Sequence, residues 1–245
     1  MKITKKLFLI AALSAFASMI FAQEQSVQRK TYTEKETSVE NEYLNDIDSD
    51  IIMGLATADD LDNKLVALQY IQNAIEEGNV TPTIVEALDQ LSGEGIVSQA
   101  RTNGRLVNNY PEVRRQSCLL MSQIPTEHTK NQLIDIAIAD NEPMVIAAAV
   151  KSLGDIKPQQ ADEVIAAIAF ANKRNQVLNP TSSLAYEVLV AFEQLAPLAE
   201  NRKEMIDCIT RISTDYHYNT VVRNKAYKLL KTLSNTSSSK KVDAK

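Results

Sequence analysis

The sequence has no tryptophan, two cysteines and six glycines in 245 residues, and aromatic residues make up only 5% of it. So few cysteines exclude a small fold held together by disulfides. So few glycines exclude a collagen-like repeat, which needs one at every third position. Apart from one run near the start, no long apolar segment occurs, which excludes a polytopic membrane protein. A hydrophobic share of 44% with 23% charged residues is typical of a soluble globular chain.

The first 22 residues resemble a secretory signal peptide. Three lysines among the first six residues precede an apolar run at 7–21, and Ala22 stands before a polar stretch that begins at Gln23. The run is shorter than the roughly 20 residues that a membrane-spanning helix needs. We therefore expect cleavage near Ala22 and Gln23, no stable membrane insertion, and a mature protein in a bacterial periplasm or outside the cell.

The remaining chain is acidic and has polar ends. The whole sequence carries a formal charge of −5, and removing the three leader lysines makes it more negative. An acidic, exported protein is a poor nucleic-acid binder because lysine and arginine supply most of that affinity. Residues 23–42 are polar and predict a flexible tether, and the small polar residues 234–245 predict a disordered tail.

Between these ends the pattern is helical throughout. All seven prolines lie between apolar-periodic segments, where helices begin or end. The segments between them predict ten helices near 43–57, 60–77, 82–92, 111–124, 127–140, 143–156, 160–175, 181–196, 201–214 and 220–233. Helix pairs recur at intervals in the thirties, as from Pro111 to Pro143, which is typical of an α-solenoid.

Two segments carry a resemblance to a known family. The run DNEPMVIAAAVKSLGDI at 140–156 resembles a HEAT repeat, and NNYPEVRRQSCLLMSQI at 108–124 resembles a weaker copy. The resemblance implies an all-α, right-handed α-α superhelix (a HEAT-like solenoid) of about four to five helical hairpins over 43–233. It also implies a protein-binding scaffold.

The same resemblance implies roles for individual residues. Val145, Ala149 and Leu153 would be core positions of the first helix in a pair. Arg114 and Asp140 would lie where polar pairs join one repeat to the next. At Ile146 the sequence departs from the arginine that the family usually has, so a continuous ladder of such pairs is not expected.

The two cysteines are predicted to be buried free thiols. Cys118 and Cys208 both lie on apolar stripes, and about two repeats separate them. Helices pack roughly 8 to 10 Å apart, so the two Cα atoms should lie beyond the ~7 Å limit for a disulfide.

No motif for catalysis, metal or cofactor binding is present. His128 and His217 lack partners at metal-binding spacing, and Asp46, Asp48 and Asp50 are followed by neither the glycine nor the glutamate of a calcium loop. We expect those aspartates to form a solvated face of the first helix, opposite Ile47, Ile51 and Leu55. The sequence thus predicts a non-enzymatic protein with no cofactor.

One long connection, 92–109, interrupts the repeats. It holds three of the six glycines together with Arg101 and Arg105, and 96–107 predicts an extra helix. Insertions in repeat proteins often lie on the binding face, but a purely structural insert is equally compatible with the sequence. A pocket beside it, in a small-ligand-binding protein or an enzyme, is the alternative function.

We expect the partner, another envelope protein or an extended peptide, to bind along the concave face formed by the second helices of the pairs. Charges of both signs on these helices, at positions predicted to be exposed, suit specific recognition. Tyr216 and Tyr218 are candidate aromatic anchors, although a cap packed against the last helix is also compatible. The candidate residues, with Glu86 and Asp89 beside them, are Arg101, Arg105, Lys130, Asp135, Glu163, Lys203, Asp207, Tyr216 and Tyr218.

Overall fold

The computed structural model describes the backbone of residues 39–242 and the side chains of residues 47–235. The predicted signal peptide and residues 23–38 of the predicted tether lie outside the described residues. Of two compact units, residues 1–42 and 43–245, the helices described here belong to the second, apart from the first four residues of the first helix.

The ten predicted helices are present in the described part of the chain. They are α1 (Val39–Thr57), α2 (Leu61–Glu77), α3 (Pro82–Ser92), α4 (Pro111–Met121), α5 (Glu127–Ala139), α6 (Pro143–Ile156), α7 (Ala161–Leu178), α8 (Ser182–Leu195), α9 (Lys203–Thr214) and α10 (Thr220–Val242). The sequence predicts the end of α10 at residue 233, but the helix continues because neither glycine nor proline follows.

Local sequence explains where the helices start and stop. Proline occupies the first turn of α3, α4 and α6, where its missing N–H costs no hydrogen bond. The side chains of Asp60, Thr81 and Thr126 accept hydrogen bonds from the first free N–H groups of α2, α3 and α5. Gly78 ends α2 in the left-handed conformation, at φ 77°.

The helices pack as sequential pairs in two rows. Helices α2, α4, α6, α8 and α10 form the first row, in which each packs against the next member. Helices α5, α7 and α9 pack in the same way in the second row, and α3 joins them through contacts of Asp89 with His128 and of Ser92 with Gln132. The two rows bury their apolar faces against each other.

Helix α6 is the centre of this core. Val145, Ala149 and Leu153 are fully buried, as expected. Farther along the same helix, Gly154 faces α8 so closely that an added Cβ would lie 2.9 Å from the Cα of Ala191. Small residues at this crossing let the two backbones approach.

Alanine at two glycine positions should therefore have opposite effects. We expect Gly154→Ala to lower the free energy of unfolding by about 1 to 3 kcal/mol because the helices must separate. Gly54→Ala in α1 is the matched control, since an added Cβ there meets nothing within 4 Å. It should raise stability by about 0.5 to 1 kcal/mol through helix propensity. Chemical denaturation measures both; equal shifts would contradict the close approach.

The buried face of α1 differs from the expected one. The acidic residues were expected to lie opposite Ile47, Ile51 and Leu55, but Ile51 is 51% exposed, and the buried residues are Ser49, Ile52 and Ala56. The difference arises because α1 is covered on one side only, where Lys64 of α2 donates to the carbonyl oxygen of Ala56.

The predicted extra helix at 96–107 is wrong. Two short antiparallel strands occupy this stretch, β1 (Arg101–Thr102) and β2 (Arg105–Leu106). Asn103 and Gly104 form the two-residue turn between them, at φ 51° and 80°. Asn-Gly favours this turn because both residues tolerate positive φ, so the sequence did contain the signal.

Both cysteines are free and buried, as predicted. Burial, reinforced by the negative charge of Asp140, raises the pKa of the Cys118 thiol far above its ordinary value. Burial also raises the pKa of Cys208 to about 11. Since the thiolate is the reactive form, both thiols are inert at neutral pH.

Candidate interaction surface

Lys130 is not an exposed binding residue. Its side chain is only 3% exposed on α5, and its Nζ lies 2.5 Å from Glu127 Oε1 and 2.9 Å from Glu163 Oε2. Hydrogen bonds from Lys130 to these two carboxylates, in that order, raise the pKa of the lysine. The lysine therefore joins α5 to α7 rather than facing a partner, because Glu163 approaches it from the neighbouring pair.

The other charged candidates on the second row are exposed. Asp135 lies on α5, Glu163 on α7, and Lys203 and Asp207 on the first two turns of α9. Glu163 is engaged by Lys130, so three of the four remain available to a partner. The structure spreads them over two helices rather than bringing them together.

The two tyrosine candidates have different environments. Tyr216 is 80% exposed and its ring stacks against His217, with centroids 4.1 Å apart. Tyr218 is buried instead, because it packs into the core at the start of α10, and burial raises its pKa to about 12. Tyr218 is thus the structural cap, and only Tyr216 can contact a partner.

Asp215 holds the segment from Tyr216 to Tyr218 in place. Its Oδ2 accepts a hydrogen bond from Gln176 at the end of α7 (2.6 Å), and its Oδ1 accepts from the backbone of His217 (2.9 Å). Burial alone would raise the pKa of Asp215, but the hydrogen bonds from Gln176 and His217 outweigh it and hold this pKa below 3.8. Charged Asp215 therefore stabilises the folded state.

This stabilisation should depend on pH. A depressed folded-state pKa contributes stability that is complete above the unfolded value and disappears as pH falls through the folded one. We expect Asp215→Asn to unfold at lower denaturant than the wild type at pH 7, and the difference to disappear in strong acid. Asp207→Asn, exposed on α9, is the control and should stay within about 0.5 kcal/mol of the wild type at pH 7. A constant difference for Asp215→Asn would contradict the depressed pKa.

A buried polar cluster anchors the insertion. Lys64 of α2 and Glu94 form an ion pair with 2.9 Å between Nζ and Oε2, and both side chains are buried. Glu94 Oε1 accepts from Asn108 Nδ2 at 2.6 Å, and Asn108 also bonds the backbone of Ser98 and Ala100. Both ends of the insertion are thus tied to one carboxylate inside the fold.

Arg114 joins the insertion to the end of α5. Its guanidinium contacts both carboxylate oxygens of Asp140, at 2.7 and 3.4 Å, as the family resemblance implies. It also donates to the carbonyl oxygen of Glu94 and to Asn109 Oδ1, each at 2.9 Å. Arg174 of α7 donates to the carbonyl oxygen of Asp140. The insertion, α4, α5 and α7 therefore share one continuous set of polar contacts.

Val97 projects from the anchored insertion over the second row. It is 82% exposed and lies between two cavities of about 330 and 260 Å³. The larger is lined by Met53, Thr57, Glu86, Asp89, Gln90, Gly93, Val97, Ser98 and Gln132. The smaller is lined by Ser92, Gly93, Ile96, Val97, Gln132, Asp135, Ile136, Ala139 and Asp140. These two cavities together are called the Val97 groove below.

Arg101 and Arg105 lie outside this groove. Both are exposed on the hairpin, and Arg101 bonds the carbonyl oxygen of Gly104 at 3.1 Å and the side chain of Gln99. The sequence predicted these arginines as two of nine candidate binding residues, whereas the structure brings Val97 and Gln132 together with Asp89 and Asp135. Only the aspartates could be found from helical position; the role of Val97 depends on the fold of the insertion.

Three other cavities lie elsewhere on the described residues: one of about 330 Å³ between α1 and α2, one of about 320 Å³ beside Pro125 and Pro158, and one of about 480 Å³ between α2 and α4. Within 39–242, no helix combines the length and apolar character needed to cross a bilayer. No three metal-binding side chains come together in this part of the chain. No family model, curated protein or solved structure matches the chain.

Proposed function

We propose that the chain is a non-enzymatic protein–protein interaction scaffold of the bacterial periplasm or cell envelope. Its helix pairs would stack as a right-handed, HEAT-like α-α solenoid of about four to five hairpins. The second row would line the inner, concave side and hold another envelope protein or an extended peptide. Recognition would rest on shape and charge rather than on chemistry.

The packing pattern supports the solenoid. From α2 to α10, helices adjacent in the sequence pack together, and all but α3 also pack closely against the equivalent helix of a neighbouring pair, as in repeat proteins whose units bury their apolar faces only by stacking. The Arg114–Asp140 pair links α4 to the end of α5, and Arg174 of α7 binds the same connection from the next pair, where the HEAT resemblance implies contacts between repeats.

The observation that carries the proposed function is the anchored insertion. Two buried ion pairs, Lys64–Glu94 and Arg114–Asp140, hold a segment that presents the apolar side chain of Val97 to solvent. Burying such charges costs several kcal/mol per ion unless they are well paired. An apolar side chain held out over an open groove suits contact with a partner. Ile138 on α5 and Phe170 on α7 are further exposed apolar side chains of the second row.

Site-specific photocrosslinking in the producing cells tests the proposal. A photoreactive residue at Asn131 or Asp207, exposed on the second row, should capture one and the same protein. Gln69 and Lys151, exposed on the first row, are the controls and should not capture it. Capture of that protein from the first row alone, with all variants folded, would contradict a partner on the second row.

A further inference from the structure

We infer that the Val97 groove binds an extended segment of the partner that carries basic side chains between apolar ones. This inference rests on the proposed function and specifies the chemistry of the partner at one place on the second row. Three properties of the groove lead to it: its charge, its apolar surface and the size of its two cavities.

The charge of the groove is of one sign. Glu86 and Asp89 line the larger cavity, and Asp135 lines the smaller one. Among the described residues, no lysine, arginine or histidine lines either cavity. The fourth acid, Asp140, is already paired with Arg114. A cationic side chain is therefore the complementary occupant, and an acidic one would be repelled.

Asp89 has unused bonding capacity. Its Oδ2 lies 2.6 Å from Nε2 of His128, but its Oδ1 is shielded from solvent and has no hydrogen-bond partner within the described part of the chain. A buried acceptor without a partner is costly. Because the Asp89 side chain is 28% exposed, a turn of its carboxylate can bring this oxygen to a donor on the occupant and remove that cost. An ammonium or guanidinium group supplies such a donor and a matching charge.

The remaining walls suit an extended backbone with apolar side chains. Met53, Ile96 and Ile136 offer apolar surface on both sides of Val97, while the amides of Gln90 and Gln132 can hydrogen-bond main-chain groups. Successive side chains of an extended strand point in opposite directions, so a segment lying edge-on in the groove can direct its basic side chains to the carboxylates and its apolar side chains to the apolar surface beside Val97.

Cavity size favours a peptide over a small molecule. Ligand pockets usually measure about 300 to 1,000 Å³, and the two cavities, about 330 and 260 Å³, stand at the lower limit on either side of Val97. Each suits one or two side chains of a longer occupant. A small-ligand site remains the alternative outcome of the test.

The test uses fluorescein-labelled octapeptides as probes of the mature chain. SVKVKVSG carries alternating basic and apolar residues, SVEVEVSG reverses the charge, and SGKGKGSG removes the apolar groups. By fluorescence anisotropy at 0.15 M salt, about the physiological ionic strength, we expect SVKVKVSG to bind at least about tenfold more tightly than either control peptide. Equal binding of the three, tighter binding of SVEVEVSG, or no binding up to about 1 mM would overturn the inference.

Paired variants assign the binding to the groove. The double variant Asp89→Asn and Asp135→Asn should bind SVKVKVSG about tenfold more weakly than the wild type does. The matched control, Glu187→Gln with Glu193→Gln on α8, removes the same charge from the first row and should leave binding unchanged. Val97→Ser should also weaken binding while circular dichroism shows an unchanged fold. If the two double variants weakened peptide binding equally, the groove would not be the binding site.

The inference and the proposed function can fail separately. If SVKVKVSG does not bind more tightly than the control peptides but photoreactive residues at Asn131 and Asp207 still capture one partner, the scaffold proposal stands and the basic segment is excluded. If the second row captures nothing that the first row does not, the scaffold proposal fails whatever the peptides do. If no peptide binds and the second row captures no protein, both fail, and the pocket alternative replaces them.

Discussion

Replacing Arg114 with leucine is expected to lower the free energy of unfolding by about 3 to 5 kcal/mol. The substitution removes a fully buried guanidinium and leaves the buried carboxylate of Asp140 without its countercharge. The carbonyl oxygen of Glu94 and the side chain of Asn109 lose hydrogen-bond donors at the same time. The loss should therefore be measured as a large drop in the denaturation midpoint, with the insertion loosened from α4.

Arg115 is the matched control for Arg114. It is adjacent on the same helix, and its pair with Glu112, 3.3 Å apart, is exposed to solvent. Exposed pairs contribute about 0 to 1 kcal/mol, so Arg115→Leu should change little. Adding Asp140→Asn to Arg114→Leu should recover part of the loss, because no unpaired charge then stays buried. Equal losses for the two arginine variants would contradict the buried pair.

Charge reversal at Lys130 is expected to have the second-largest effect. Lys130→Glu would place a third carboxylate in a buried position next to Glu127 and Glu163, and we expect it to cost about 2 to 4 kcal/mol. Lys130→Met keeps the apolar stem. It should cost less, about 1 kcal/mol, because both glutamates are largely exposed and regain water.

Lys203→Glu provides the comparison at an exposed site. Lys203 lies in the first turn of α9, and surface substitutions of this kind stay within about 0.5 kcal/mol. Thermal or chemical denaturation should thus show that Lys130→Glu is much less stable than Lys130→Met and Lys203→Glu. If Lys130→Glu proved as stable as Lys203→Glu, Lys130 would be exposed and its contact with α7 absent.

The helices were predictable because their signals are local. Pro82, Pro111 and Pro143 mark helix starts whatever the rest of the chain does, and the apolar periodicity between the prolines predicts one buried face. The burial of Ala149 followed from the same periodicity together with the family resemblance. The two-strand hairpin was equally local, and the Asn103–Gly104 pair was its signal.

The sequence-based predictions were wrong where the exposure of a side chain depends on residues far away in the sequence. Lys130 lies at a position that is polar in the helical pattern, but Glu163, 33 residues later, covers it. Ile51 is apolar and was therefore expected to be buried, but no helix in the described part of the chain covers that side of α1. The Val97 groove also forms only where three separated segments of the chain meet: α1, α3 with the insertion that follows it, and α5. No local pattern contains that information.

Hydrogen exchange of the mature chain bound to its captured partner tests the central claim most directly. If the partner lies on the second row over the Val97 groove, exchange should slow in 82–106 and 127–139. The first-row helices at 143–156 and 182–195 should exchange as they do in the free protein. Protection confined to those first-row helices, with none in 82–106 or 127–139, would contradict the claim.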